Sequence, residues 1–248
     1  MRAAHSLESI RLGLSSQLSR TAITRKETPK LRSMLTLDVD RTIRDQNVRI
    51  EESRNSKLIG ILFSHPSAPL AKSEILGQLP HFHLRSGDAV DFFCIGYGTD
   101  WPENHYADQK SVVRIGGVDW LFSEKAYSDV IDQLEQETTW KYSGETELIL
   151  VSAIKDNLDN VVLDYSSAIV CNLDTMAKDE AFSTVRSFFT EIFRYAKTNN
   201  QVAPFNLSDN RGIALGKSAL KKAILSLLPS NLKESYKKAE HYAIRNIA

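Results

Sequence analysis

Cysteine is scarce in this chain. The 248 residues contain two, Cys94 and Cys171, too few for a disulfide framework. Both lie inside apolar, strand-like runs (92–95 and 168–171), where a free thiol serves as a small buried hydrophobe. A reducing, cytoplasmic setting is therefore expected. Long hydrophobic runs are missing too. Leu58 to Phe63 and Leu148 to Ala153 are of strand length and fall far short of the ~20 residues a membrane span needs. The beginning of the chain has no compact apolar segment, because Leu7, Ile10, Leu14 and Leu18 are spread among Ser, Arg and Gln. A secretory leader is not expected. Aromatic side chains are absent from residues 1–57, which removes the stacking groups that single-stranded nucleic acid favours. Internal repeats and low-complexity tracts are also absent.

What is present suffices for a globular core: 42% of the residues are hydrophobic and 25% charged. The net charge of zero conceals a pattern. Residues 1–57 carry +5, residues 58–210 carry −11, and residues 211–248 carry +6. Basic ends beside an acidic body attract one another. The ends are expected to pair with the body of the same molecule or of a neighbouring subunit, ahead of nucleic acid.

These charge boundaries coincide with an expected organisation in three parts. Residues 1–57 form a basic, partly helical arm, in which Leu7, Ile10, Leu14 and Leu18 have the 3–4 spacing of a half-buried helix. A stripe this short needs a surface to pack on. Residues 58–210 form an acidic α/β core. Its expected strands are 58–64, 89–97, 111–115, 118–122, 146–154 and 161–173. Helices are expected over 70–79, from Ser123 to about 139, and from Asp174 or Thr175 through the apolar stripe that ends at Ala196. Gly116-Gly117 signals a two-residue hairpin. The helix between the first two strands implies that they run parallel. Residues 211–248 form two basic helices, about 213–228 and 231–246, divided by Pro229. The fold class is thus α/β, a mixed sheet of about six strands with helices on both faces, a helical arm and a basic helical C-terminus.

Four segments invite a chemical reading. Gly212–Ser218 resembles a phosphate-binding loop, but three residues separate its glycines where the pattern needs four, and no strand precedes it. It reads more simply as the first turn of a C-terminal helix. His81 and His83 alternate as on a strand, which places two imidazoles on one face as transition metals require. They lack a clear third ligand. The turn Ser64-His65-Pro66-Ser67 follows the first strand, and Tyr97–Trp101 follows the second. Parallel strands would bring both to one carboxyl edge, where α/β sheets bind ligands. His65, Ser67, Asp100 and His105 are the candidate catalytic groups there, with a histidine as general base. Glu145 and Glu147 alternate on a strand as nuclease carboxylates do, but the next lysine is Lys155. The segment 140–147 reads as a turn with a packed Trp and Tyr, and the acidic residues of 124–137 read as the solvated face of a helix.

No motif assigns a reaction, and no cofactor or metal is called for. The expectation is a non-enzymatic interaction component, an adaptor or subunit of a cytosolic assembly. Leu7, Ile10, Leu14 and Leu18 and the basic C-terminal helices would contact a second copy or another protein. The alternatives are a hydrolase or nuclease acting on a phosphate ester at the His65 edge, and a regulatory domain that binds a nucleotide or other anion there.

Overall fold

A computed structural model describes residues 2–15, 17–18, 56–86, 90–99, 101–102, 105–156, 158–201, 225, 230–232, 242–245 and 247–248. Its centre is a mixed six-stranded sheet. The strands are β1 (Arg2–Ala4), β2 (Ser56–Phe63), β3 (Val90–Ile95), β7 (Glu147–Lys155), β8 (Val161–Asn172) and β9 (Tyr242–Arg245), in the order β1-β3-β2-β7-β8-β9. β4 (Tyr97–Thr99), β5 (Lys110–Ile115) and β6 (Val118–Phe122) form a separate antiparallel sheet. β2 and β3 are parallel, with Leu58 opposite Val90, as the intervening helical crossover requires. β2 and β7 are antiparallel, and Phe63 faces Glu147.

Six strands were expected and the main sheet has six, but the membership differs. The expected 111–115 and 118–122 pair leaves the sheet because Gly96 turns the chain at a φ of +80° directly after β3. A Cβ there would stand 2.8 Å from both Phe122 and Tyr127, so glycine is required on two counts. Gly116 and Gly117 close the β5–β6 hairpin at φ values of +59° and +85°, the conformation a primed two-residue turn demands. The two places freed in the sheet are taken by the chain ends, β1 and β9.

Both ends therefore depart from the sequence reading. Residues 2–18, expected to belong to a separate arm, supply an edge strand parallel to β3 and the helix α1 (Leu7–Ser15). Leu7, Ile10, Leu14 and Leu18 are no more than 1% exposed and belong to the central apolar cluster. That stripe is buried by its own chain. Tyr242–Arg245, expected to be helical, pairs antiparallel with β8 from Ala168 to Cys171. Ile247, buried beyond it, exchanges backbone hydrogen bonds with Thr139 and Tyr165. The alternation of Tyr, Ala, Ile and Arg fits a strand once an edge is there to receive it.

Side-chain alternation puts helices on both faces of the sheet. Phe92 of β3 meets Phe189 and Phe193 of α5 (Val185–Gln201) at centroid distances of 5.1 and 5.2 Å. Its neighbour Phe93 points the other way, beside Gly13 of α1. Between β2 and β3 the chain is helical from 69 to 86, with a π-helical turn, Ala71–Ile75, a 3-10 turn, Leu76–Gln78, and an α-helix, Leu79–Ser86 (α2). His81 and His83, expected on a strand, thus sit on a helix. Ser123 caps α3 (Glu124–Glu137) by accepting the Ala126 N–H, as expected. The long helix expected after residue 174 is two helices. Asn172 caps α4 (Leu173–Lys178) by accepting the Thr175 N–H. Glu180, in the left-handed region at a φ of +54°, ends it. The Ala181 and Glu180 N–H groups then close back on the Met176 and Ala177 carbonyls, a helix-terminating pattern usually built on glycine. Thr184 caps α5 through the Ser187 N–H.

Candidate functional site

The carboxyl end of β2 opens into a cavity of about 540 Å³. Three pieces of chain wall it. The turn after β2 brings His65 and Ser67, the segment before β7 brings Tyr142 and Glu145, and α4 brings Asp174 and Lys178; Tyr127 of α3 closes the floor. Because β7 runs antiparallel to β2, the start of one strand and the finish of the other meet at the same edge. The Tyr97 hydroxyl, donating to the Ser64 carbonyl at 2.8 Å, ties the ends of β2 and β3 together beside the cavity.

His65 is held from every side. Its ring stands edge-on to Phe122 and Tyr127, with centroids 5.1 and 5.6 Å away. Nδ1 lies 2.6 Å from the Ser67 hydroxyl and 3.2 Å from the Ser67 backbone nitrogen, both donors. Nε2 lies 2.7 Å from a Glu124 carboxylate oxygen. Two donors on one nitrogen and an acceptor on the other specify the tautomer: Nδ1 carries the lone pair and Nε2 the proton. Glu124 takes a second contact from Lys110 at 3.1 Å. Burial pushes the Glu124 carboxyl up, but the hydrogen bonds from His65 and Lys110 and the Lys110 charge outweigh it and hold the group below the ordinary range.

The opposite wall is acidic. Glu145 accepts from Lys178 at 2.8 Å and from the Thr175 hydroxyl at 3.0 Å. The Lys178 ammonium holds its carboxyl below the usual range against the opposing effect of burial. Asp174 accepts the Thr146 N–H at 2.6 Å. Between the walls the Tyr127 and Tyr142 hydroxyls lie 2.6 Å apart, and burial raises both phenols. Phe63 and Trp140 stack behind them at 4.9 Å. Two of the buried hydroxyls without a hydrogen-bond partner among the described residues, Ser64 Oγ and Thr146 Oγ1, belong to the strand ends that border this cavity.

Of the four catalytic candidates read from the sequence, His65 and Ser67 are brought together. His105 is not among the cavity residues. It packs at the end of β1 against His5, Trp101 and Tyr106, with centroids 5.7, 5.9 and 4.7 Å away. Asp100 lies outside the described residues, as does Gly212–Ser218. The one-face arrangement weighed for His81 and His83 does not occur on α2, where positions two apart sit about 200° around the axis. Arg186 approaches the ring nitrogens of His81 at 3.0 and 3.3 Å, a cation where a metal would have to bind. No group of three or more His, Cys, Asp or Glu among the described residues could hold a metal ion.

Sequence reasoning missed Glu124, Tyr142, Asp174 and Lys178, and weighed Glu145 only as a partner of Glu147. Glu124 reads as one acid of a solvated helix face, and only the β5–β6 sheet folding back places it beside His65. The carboxylates at 145 and 147 do not act as a pair: Glu147 is buried and accepts the Trp140 indole N–H at 2.9 Å and the Ser143 N–H at 3.0 Å. No protein family, curated protein or solved structure matches this chain.

Proposed function

We propose that this domain binds a small polar molecule bearing an ammonium or guanidinium group in the cavity at the carboxyl end of β2. The observation that carries this reading is that the Glu145 and Asp174 carboxylates line one cavity together with the hydrogen-bonded Tyr127–Tyr142 pair. Carboxylates recognise a cation by charge-assisted hydrogen bonds, and phenol rings add a favourable face. Two carboxylates against one lysine argue for a cation rather than a phosphate. Lys178, mostly solvent-exposed, already lays an ammonium on Glu145, and an incoming cation would take its place. The interaction role expected from the sequence rested on the Leu7–Leu18 stripe and on the basic C-terminal segment, most of which lies outside the described residues. With those side chains spent in the core, the cavity is the stronger foundation.

Calorimetric titration of the full chain with benzamidine and butylamine, beside their neutral counterparts benzamide and butanol, tests the reading. Only the cations are expected to bind, and Glu145→Gln or Asp174→Asn should weaken them by roughly 10–100-fold, the loss of a hydrogen bond between charged groups. Lys178→Ala should tighten binding by removing the internal competitor. Equal binding of cations and neutral compounds, or weaker cation binding in Lys178→Ala, defeats the proposal.

A further inference from the structure

The second wall of the cavity supports an activity as well as binding. We infer that Ser67, His65 and Glu124 form a nucleophile, general base and orienting carboxylate for acyl transfer to water. The substrate class, a small ester or amide with a cationic group, rests on the binding reading above.

Serine is a poor nucleophile until a base stands within hydrogen-bond reach, and the base needs a third group to fix its tautomer. Both contacts are made, at 2.6 and 2.7 Å. The roles of the two imidazole nitrogens are reversed relative to the common serine hydrolases: here Nδ1 faces the serine and Nε2 the carboxylate. The chemistry requires only a lone pair toward the hydroxyl and an N–H toward the acid, and this tautomer supplies both. Ser67 is exposed at the cavity mouth, so a substrate carbonyl can reach it. Directly after it Ala68 and Pro69, which also line the cavity, lead into the helix over 69–86.

The steps balance without a further reagent. Ser67 Oγ attacks the carbonyl carbon while its proton passes to His65 Nδ1. The carbon–oxygen or carbon–nitrogen bond to the leaving group breaks, and the proton on Nδ1 goes to the departing alcohol or amine. Water then attacks the acyl-serine, Nδ1 accepts a proton from that water, and the same proton returns to Oγ as the acid departs. Glu124 touches no reacting atom. It is a positioning residue that balances the charge of the transient imidazolium.

A fluorophosphonate probe tests this on the full chain, because the same attack forms an Oγ–P bond, expels fluoride and leaves an adduct that peptide mass spectrometry can locate. The adduct is expected on Ser67 and is expected to be absent in Ser67→Ala. His65→Gln should slow labelling by about 100-fold or more. Glu124→Gln should slow it and move the midpoint of its pH profile, and Glu124→Asp should restore part of the rate. Turnover of nitrophenyl guanidinobenzoate should exceed that of nitrophenyl benzoate. Thermal melts of each variant exclude loss of the fold as the cause. No adduct on Ser67, or equal labelling rates in folded wild type and His65→Gln, overturns the inference. Titrating Ser67→Ala with benzamidine keeps the two proposals apart. Binding without labelling of the wild type sinks only the catalytic one, and Ser67 labelling without cation binding sinks only the assignment of the ligand.

Discussion

Lys57 Nζ lies 2.9 Å from an Asp91 carboxylate oxygen, both groups buried near the beginnings of the parallel strands β2 and β3. Arg2 Nε approaches the other Asp91 oxygen at 3.3 Å, and the Arg2 guanidinium also donates to the Gly13 carbonyl of α1 at 3.1 Å. Lys57 in turn donates to the Gln17 side chain. One acid on β3 thereby collects β1, the end of α1 and β2 into a single polar cluster at the end of the sheet opposite the cavity.

Removing one partner from a buried pair leaves the other charge stranded. Lys57→Met is expected to cost about 3 kcal/mol, near the lower end for such pairs because Arg2 still reaches Asp91. Replacing both residues, Lys57→Met with Asp91→Leu, should recover much of that loss. Urea unfolding of the three proteins measures it, and equal midpoints for wild type and Lys57→Met would show that the pair does not hold the termini.

Leu14, fully buried on α1, separates two pictures of the N-terminus. As a core residue, its change to alanine should cost about 2–5 kcal/mol of stability, read from the same urea curves in dilute protein. A leucine waiting for a partner would leave the monomer's stability unchanged on truncation.

Burial pushes the Cys94 thiol up to about 12 and raises that of Cys171 as well. With almost no thiolate available, native protein should react with a maleimide very slowly at mildly alkaline pH, and both thiols should label at once in denaturant. Rapid labelling of either in the folded chain would contradict its place in β3 or β8.

Acid should weaken the fold in two stages. Burial, then the charge of His105, lowers His5 below its ordinary 6.5; burial, then Arg186 and Arg85, lowers His81 below the same value. The folded state disfavours protonation of both, so the stability they contribute is present above about pH 6.5 and declines as pH falls. Glu124, Glu135 and Glu145 lie below their ordinary 4.5, and their contribution is lost as pH falls from that value through the folded-state values. Melting temperature followed from pH 8 to 3 should show a shallow decline first and a steeper one later. A flat profile through the histidine range would contradict the packing of His5 and His81.

Much of the fold is legible in the chain because its signals are local. The paired glycines at 116 and 117 demand a hairpin wherever they stand. Ser123 before an apolar stripe caps a helix, and Leu58–Phe63 can only be a strand buried on both faces. The parallel pairing of β2 and β3 follows from the length of the crossover between them. The errors fall where the deciding partner is remote in sequence. Tyr242–Arg245 has no reason to be extended until β8 offers its edge. Glu180 ends a helix without the glycine that ordinarily announces it.

The sequence by itself determined the α/β class, most elements between residues 58 and 201, the buried state of both cysteines, and the position of His65 and Ser67 at a strand end. Each of these follows from periodicity, turn chemistry or capping, which act over a few residues. Only the tertiary structure decided that the Leu7–Leu18 stripe serves the chain's own core, that β5 and β6 leave the main sheet, that Glu145 and Asp174 share one cavity with His65, Ser67 and two tyrosines, and that Glu124 meets His65. A site is a meeting of side chains from distant segments: His65 and Glu124 lie 59 positions apart. Packing brings them together through the burial of apolar surface elsewhere in the molecule, and no local pattern at the polar residues themselves encodes it.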